Sequence, residues 1–310
     1  MLQEVVSAHL PVGEKLAIQK NRIAGAHPEA RRIAVVTGTH GDELEGQYVA
    51  WKLARLLEKK RDRLHGTVDI YPALNPLGIS TIYRGLPGFD LDMNRIFPGS
   101  STETMYEHIA QGIVRDIAGA DLCIDIHASN IFLREIPQIR INEKNAQELL
   151  PLAHFLNMDF VWVHGAATVL ESTLAYSLND MGTPTLVVEM GVGMRITESY
   201  GNQLIYGIFA VMNHLGMLDE PFIPVAPPIV STDGHVAFVN AAESGIFLPR
   251  VSHAERVEKG QTIGIVSNPF TGEISEKLLS PISGMVFTLR EYPLVNEGSL
   301  IARVLGGAAS

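Results

Sequence analysis

The chain has 310 residues, 46% hydrophobic and 19% charged, an ordinary globular composition with length enough for a large core and two domains. Its formal net charge of −10 argues against a nucleic-acid partner, which calls for a basic face, and with Cys123 as the only cysteine neither an intrachain disulfide nor a thiolate metal cluster can form. The opening MLQEVVSAHLPVGEKL lacks the basic start and apolar run of a secretion signal, and even LIYGIFAVM is far too short for a membrane span, so a cytoplasmic protein without a membrane partner is expected.

Taken in order, EVVSAHLPVGEKLAIQKNRIAG alternates too poorly for a helix and reads as a β-hairpin. IAVVTGTH (33–40) is an apolar run that stops at a turn, as a buried strand does. Behind it Val49, Leu53, Leu56 and Leu57 share a helical face. VDIYPALN (68–75) reads as the next strand, closed by Asn75-Pro76. Ile109, Ile113, Val114 and Ile117 put a helix over about 103–118. Strand DLCIDIHAS (121–129), a helix over roughly 144–157, strands DFVWVHG (159–165) and TPTLVVEMGVG (183–193), and a helix over about 199–217 complete this part. Segments 128–142 and 165–175 read as loops. This alternation predicts an α/β layer fold for residues 1–220.

Composition changes after Asp219. EPFIPVAPPIVSTDG carries four prolines and reads as an extended linker. HVAFVN, SGIFLPRV, KGQTIGIVSN, PISGMVFTL and SLIARVL follow as short β-like runs without helical period, which predicts a small all-β domain over 225–305.

Three of the α/β strands end on residues that carry chemistry. The first delivers His40 and Glu43, the third His127, and the last Glu189. Ligand sites in open α/β sheets gather at the carboxyl ends of strands, so these side chains can converge. Two imidazoles and a carboxylate, with a position left to water, form the pattern of a catalytic zinc site. Each residue also has a plain reading: His40 and Glu43 as a surface turn, His127 as a hydrogen-bonded core histidine. Glu189 on an apolar run is harder to dismiss, because an unpaired buried carboxylate is costly.

GTHGDE, DMNR, DIHAS and VVEMG occur in this order, and GFDLDMNRIFPG (88–99) surrounds the second of them. The set resembles the succinylglutamate desuccinylase/aspartoacylase family of zinc carboxypeptidase-like hydrolases over roughly residues 30 to 220. The resemblance implies a mixed-sheet catalytic domain in which His40, Glu43 and His127 hold one zinc ion and Glu189 is general base and acid. It implies that Asn94 and Arg95 bind the carboxylate of an N-acyl amino acid, and that Asp92 holds the His40 ring. The chemistry agrees: Arg95 can grip a carboxylate with two parallel hydrogen bonds, and metal-bound histidines usually donate their second N–H to a carboxylate or carbonyl. Arg84, in the YRGLPG loop, is a candidate for polarising the scissile carbonyl or else a surface arginine.

Asp125 shares a strand face with His127 and reads as its partner or as a buried sheet-end aspartate. Asp42 reads as a turn residue. Arg134, Arg140 and Tyr176 are placed either in a substrate pocket or in surface pairs. His154, His164, His214, His235 and His253 have no ligand-like spacing and are expected to be structural or exposed. The tail, with SGIFLPRVSHAERVEKGQTIGIV and LSPISGMVF, resembles a biotinyl/lipoyl-type barrel sandwich, but Gly272 and Glu273 stand at the turn where a carrier domain has its modified lysine. An accessory lid or packing role is expected instead. The leading expectation is a zinc-dependent deacylase of a small N-acyl amino acid or related amide, with a metallocarboxypeptidase and a non-catalytic small-molecule binder as alternatives. Assembly as a homo-oligomer is left open.

Overall fold

The structure is a computed structural model that describes residues 1–165, 171–232 and 235–306. Residues 166–170 of the 165–175 loop and residues 233 and 234 of the expected tail domain thus lie outside the described residues. The chain begins with β1 (Leu2–His9) and β2 (Lys15–Ala24), the expected hairpin. It continues through β3 (Arg32–Thr37), α1 (Glu45–Lys59), β4 (Thr67–Tyr71), α2 (Pro76–Thr81), α3 (Met105–Ile117), β5 (Leu122–His127) and β6 (Leu133–Asn142). Then come α4 (Ala146–Ala153), β7 (Phe160–His164), α5 (Leu174–Asp180), β8 (Thr185–Gly191) and α6 (Glu198–His214). The rest is β: β9 (Ile229–Thr232), β10 (Val236–Asn240), β11 (Gly245–Pro249), β12 (Arg256–Val257), β13 (Thr262–Ser267), β14 (Ile274–Leu279), β15 (Gly284–Arg290), β16 (Leu294–Val295) and β17 (Leu300–Leu305). Among the described residues no helix is long and apolar enough to cross a membrane.

The main sheet is mixed, in the order β1-β2-β4-β3-β5-β8-β6-β15-β17-β10, with β7 and β9 branching from β6. Strands β4, β3, β5 and β8 are parallel neighbours buried on both faces. Side-chain alternation in β3 shows why its sequence is continuously apolar. Ile33 and Val35 join the core under α1, α4 and α6, whereas Ala34 and Val36 join the opposite core under α3 and α5. Val49, Leu53 and Leu57 bury one stripe of α1, each contributing roughly 1.5–3 kcal/mol by its removal from water. Helix α3 starts at Thr104, whose hydroxyl accepts from the Glu107 N–H while the Glu107 carboxylate accepts from the Thr104 N–H. That reciprocal cap contributes about 1 kcal/mol.

Two expected loops contain regular structure. Residues 133–142 form β6, a central strand, and 174–180 form α5. Pro137 and the charged Arg134, Glu135 and Arg140 disguise β6. The register against β8 shifts between Glu135 and Gln138, and this bulge spans Pro137, which cannot donate to the ladder.

The tail is joined to the sheet at the same strand. β15 pairs with the first residues of β6, β17 with β15, and β10 with β17, while β7 pairs with the last residues of β6 and β9 with β7. Ile136, Phe160 and Trp162 accordingly share a small core with Phe287 and Leu305. A separate antiparallel sheet, β14-β13-β11-β16, completes the small C-terminal β structure. Its apolar residues Phe247, Ile263 and Val266 meet Val286, Ile301 and Val304 in a core of their own.

Candidate metal centre

The turn after β3 places the first two side chains. Gly38 sits at φ +69, a left-handed conformation that glycine adopts without steric cost. Gly41 lies so close to the α2 segment that an added Cβ would stand 2.0 Å from the Gly78 carbonyl carbon. No side chain fits there. Gly41 N–H donates to the Arg84 carbonyl at 3.3 Å, and Asn75 ties the two loops further by donating its N–H to the Gly38 carbonyl and its amide to the Gly85 carbonyl. The glycines of GTHGDE therefore let the Arg84 loop lie directly against His40 and Glu43.

His40, Glu43 and His127 are 3%, 4% and 4% exposed, and their candidate ligand atoms lie within 4.8 Å of one another. Glu43 Oε1 is 2.7 Å from His40 Nδ1, and Glu43 Oε2 is 2.9 Å from His127 Nδ1. The second nitrogen of each ring faces an aspartate. His40 Nε2 is 3.0 Å from Asp92 Oδ1, the pairing that the resemblance implies. His127 Nε2 is 3.2 Å from Asp125 Oδ2, close enough for charge pairing though not aligned as a hydrogen bond.

This arrangement decides whether a cation fits. With the proton of each ring on Nε2, the side that faces an aspartate, the Nδ1 lone pairs are left bare toward the Glu43 oxygens. Lone pairs facing one another at these distances require positive charge between them, from protons or from a metal. The titration shifts express the same demand. Burial disfavours the charged His40 ring, yet Glu43 and Asp92 together outweigh it and raise the pKa. Burial likewise opposes charge on His127, and Asp125 with Glu43 raises it well above the ordinary imidazole value. Burial pushes Glu43 up, but the two imidazoles hold it below the usual carboxylate range. Asp92 shows the same contest: burial against its charge, the His40 ring in favour, with a result of about 2. Two imidazole nitrogens and one carboxylate, each held from behind, suit a divalent metal.

The other sequence candidates surround this triad. His127 and Glu189 are register partners on the parallel strands β5 and β8, so both side chains stand on one sheet face. Burial pushes Glu189 up, Arg140 pulls it down and Glu135 pushes it up again, with a net rise above the usual carboxylate value. Arg84 Nη1 is 2.7 Å from Glu43 Oε1, so its guanidinium sits on the triad itself. Asn94 Oδ1 accepts from Leu174 N–H at 2.9 Å, which leaves the carboxamide NH₂ as the donating end. Arg95, largely exposed, donates through Nη1 to the Asn94 carbonyl. A cavity of about 880 Å³ is lined by the triad together with Arg84, Asn94, Arg95 and Glu189. Tyr176 and Arg140 line it too. Arg134 instead pairs with Glu291 at 3.2 Å. The Asp42 carbonyl accepts from Met194 N–H, which ties the turn after β3 to the segment after β8.

Further wall residues carried no spacing signal. His164, expected to be structural or exposed, and Trp162 line the cavity, as do Glu135 on β6 and Phe238 and Arg303 from the tail. A period-two reading through Pro137 would have put Gln138, Arg140 and Asn142 on one strand face; nothing local points to Arg303.

Residues 29–215, more than half of the chain, match the Succinylglutamate desuccinylase/Aspartoacylase catalytic domain. Over 278 residues the chain is 24% identical to the N-alpha-acetyl-L-2,4-diaminobutyric acid deacetylase of Halomonas elongata, covering 86% of this chain and 79% of that protein. Its fold is similar to that of the product-bound ectoine utilization protein EutE (DoeB) of Ruegeria pomeroyi, at TM-score 0.83 and 22% identity across 99% of this chain and 95% of the other. It is equally similar to a succinylglutamate desuccinylase/aspartoacylase from Rhodobacter sphaeroides, at TM-score 0.83 and 23% identity across 100% and 96% of the two chains. The matched segment contains the glycine turn, the three candidate ligands and Glu189, and on that match the chain belongs to the succinylglutamate desuccinylase/aspartoacylase family.

Proposed function

We propose that the protein is a zinc-dependent hydrolase that removes a short acyl group from an N-acyl amino acid or a closely related amide. The observation that carries this reading is the donor set His40–Glu43–His127 with Glu189 on the adjacent strand, in a cavity also lined by Asn94 and Arg95. Two imidazoles and a carboxylate favour zinc over magnesium, which prefers oxygen ligands and retains water. When bound, the metal supplies Lewis acidity and lowers the pKa of a coordinated water to about 7.

The remaining roles belong to the chain. Asp92 and Asp125 orient the two imidazoles. Glu189 accepts the proton of the attacking water and returns it to the leaving amine; its raised pKa suits both halves of that task. Asn94, through its NH₂, and Arg95 bind the substrate carboxylate and so fix the amide relative to the metal. Arg84, already beside Glu43, has the reach to follow charge developing on the carbonyl oxygen. Phe238 and Arg303 of the tail line part of the cavity, which supports a small acyl group over a peptide. The name of the Halomonas elongata relative, a deacetylase of an N-acetyl diamino acid, supports the same class.

The test is a hydrolysis panel. N-acetyl and N-succinyl derivatives of aspartate, glutamate, methionine and 2,4-diaminobutyrate are compared with a pentapeptide ending in the best of these residues. Rapid release from a short N-acyl amino acid and none from the pentapeptide is expected. Comparable rates on both would replace this reading with a carboxypeptidase. Arg95→Lys should weaken binding of the preferred substrate by about 1.5–3 kcal/mol, seen as a raised KM, because one ammonium cannot reproduce a two-pronged contact. An unchanged KM would remove Arg95 from carboxylate binding.

A further inference from the structure

We propose that Arg140 is a positioning residue for Glu189, and that Arg303, contributed by the C-terminal tail, keeps Arg140 in that role through Glu135. The inference rests on Glu189 being the proton-transfer group.

Four charged side chains form one line through the cavity wall. Arg303 Nη1 donates to Glu135 Oε1 at 2.6 Å. Glu135 Oε2 accepts from Arg140 Nη2 at 2.8 Å. Arg140 Nη1 then lies 3.4 Å from Glu189 Oε1. Glu135 is 1% exposed, and the Gln138 amide also donates to its Oε2. The Arg140 guanidinium lies 5.7 Å and that of Arg303 5.5 Å from the centre of the Trp162 ring. Phe238, the register partner of Arg303, meets that guanidinium at 5.5 Å.

The division of Glu135 between two arginines is what matters. A carboxylate facing a single guanidinium prefers to grip it with both oxygens. Here Arg303 occupies Oε1, so Arg140 receives only Oε2 and keeps Nη1 for Glu189. Without Arg303, Glu135 is free to take both terminal amino groups of Arg140 and turn the guanidinium away from Glu189. Glu189 on its own is a side chain with three rotors and a substantial entropy to lose. A proton shuttle has to be held within a fraction of an ångström of its working position. An isolated ion pair at 3.4 Å holds little, but Arg140 is itself locked by Glu135 and the indole, so its contact restrains Glu189. The tail thereby reaches the reacting end of the site although none of its described residues is a candidate metal ligand or proton-transfer group.

A network that merely fastens the tail to the sheet would contain the same contacts, so the test has to read coupling. Turnover of the panel's best N-acyl amino acid is measured for Arg140→Met and Arg303→Met, each alone and combined with Glu189→Gln, with zinc content and thermal unfolding recorded for every protein. Acting through Glu189, either arginine variant lowers kcat about tenfold or more with glutamate at 189, as lost orienting partners do. Neither lowers it further with glutamine there, and KM stays within about twofold in both backgrounds. Arg303→Lys, which can still occupy one Glu135 oxygen, recovers most of the Arg303→Met loss. Equal losses in both backgrounds, or no loss in either, overturn the positioning role while leaving Glu189 as the shuttle. Full turnover by Glu189→Gln overturns both. Should Arg140→Met fail to fold or load zinc, the Arg303 variants, which leave Arg140 intact, decide the question alone.

Discussion

Glu189→Gln is expected to lower kcat by a hundredfold or more, roughly the contribution of a positioned general base and acid, with metal content and thermal unfolding unchanged. The substitution keeps the size and planarity of the side chain on β8, and the neighbouring core residues Val188 and Met190 are untouched. It removes the only property at issue: an amide cannot accept a proton from water and pass it to an amine. The elevated carboxyl pKa of Glu189 fits a group that must both take and release a proton near neutrality. KM should change little, since the proposed carboxylate clamp, Asn94 and Arg95, is left intact. A well-folded, metal-loaded Glu189→Gln protein with near-parental kcat would exclude this residue from proton transfer.

Stripping the metal with a chelator should abolish turnover, and added zinc should restore it. The stripped protein should also melt at lower temperature, because an ion that binds only the folded state at a thousandfold excess over its Kd contributes about 4 kcal/mol. Acid should have the same effect as the chelator. The folded metal-free protein has raised pKa values at His40 and His127, so protons compete for the ring nitrogens from above the ordinary imidazole value of 6.5 downward. Zinc retention should therefore be full at higher pH and fall as pH drops through those raised values. Turnover that survives metal depletion would contradict the metal reading outright.

The triad was legible because its members stand at the ends of strands that announce themselves. β3, β5 and β8 are short and largely apolar, and each carries its chemistry at its C-terminal end or in the turn that follows. Parallel neighbours bring such ends together, so His40, Glu43, His127 and Glu189 were expected at one place before any coordinate. Asp92 behind His40 came from the motif resemblance, and the two side chains lie 3.0 Å apart. β6 was not legible. Its proline sits at a bulge, and its buried Glu135 and Gln138 and half-buried Arg140 look like loop residues until their partners are known. One of those partners, Arg303, lies 168 positions further along the chain, beyond any local pattern. The cavity wall therefore stayed hidden while its floor could be read.

Zinc-edge anomalous diffraction from crystals of the active protein is the measurement on which the metal-hydrolase reading stands. One strong peak is expected, between His40 Nδ1, Glu43 and His127 Nδ1 and on the sheet face that carries Glu189. No peak there, or a peak held by other residues, would contradict it.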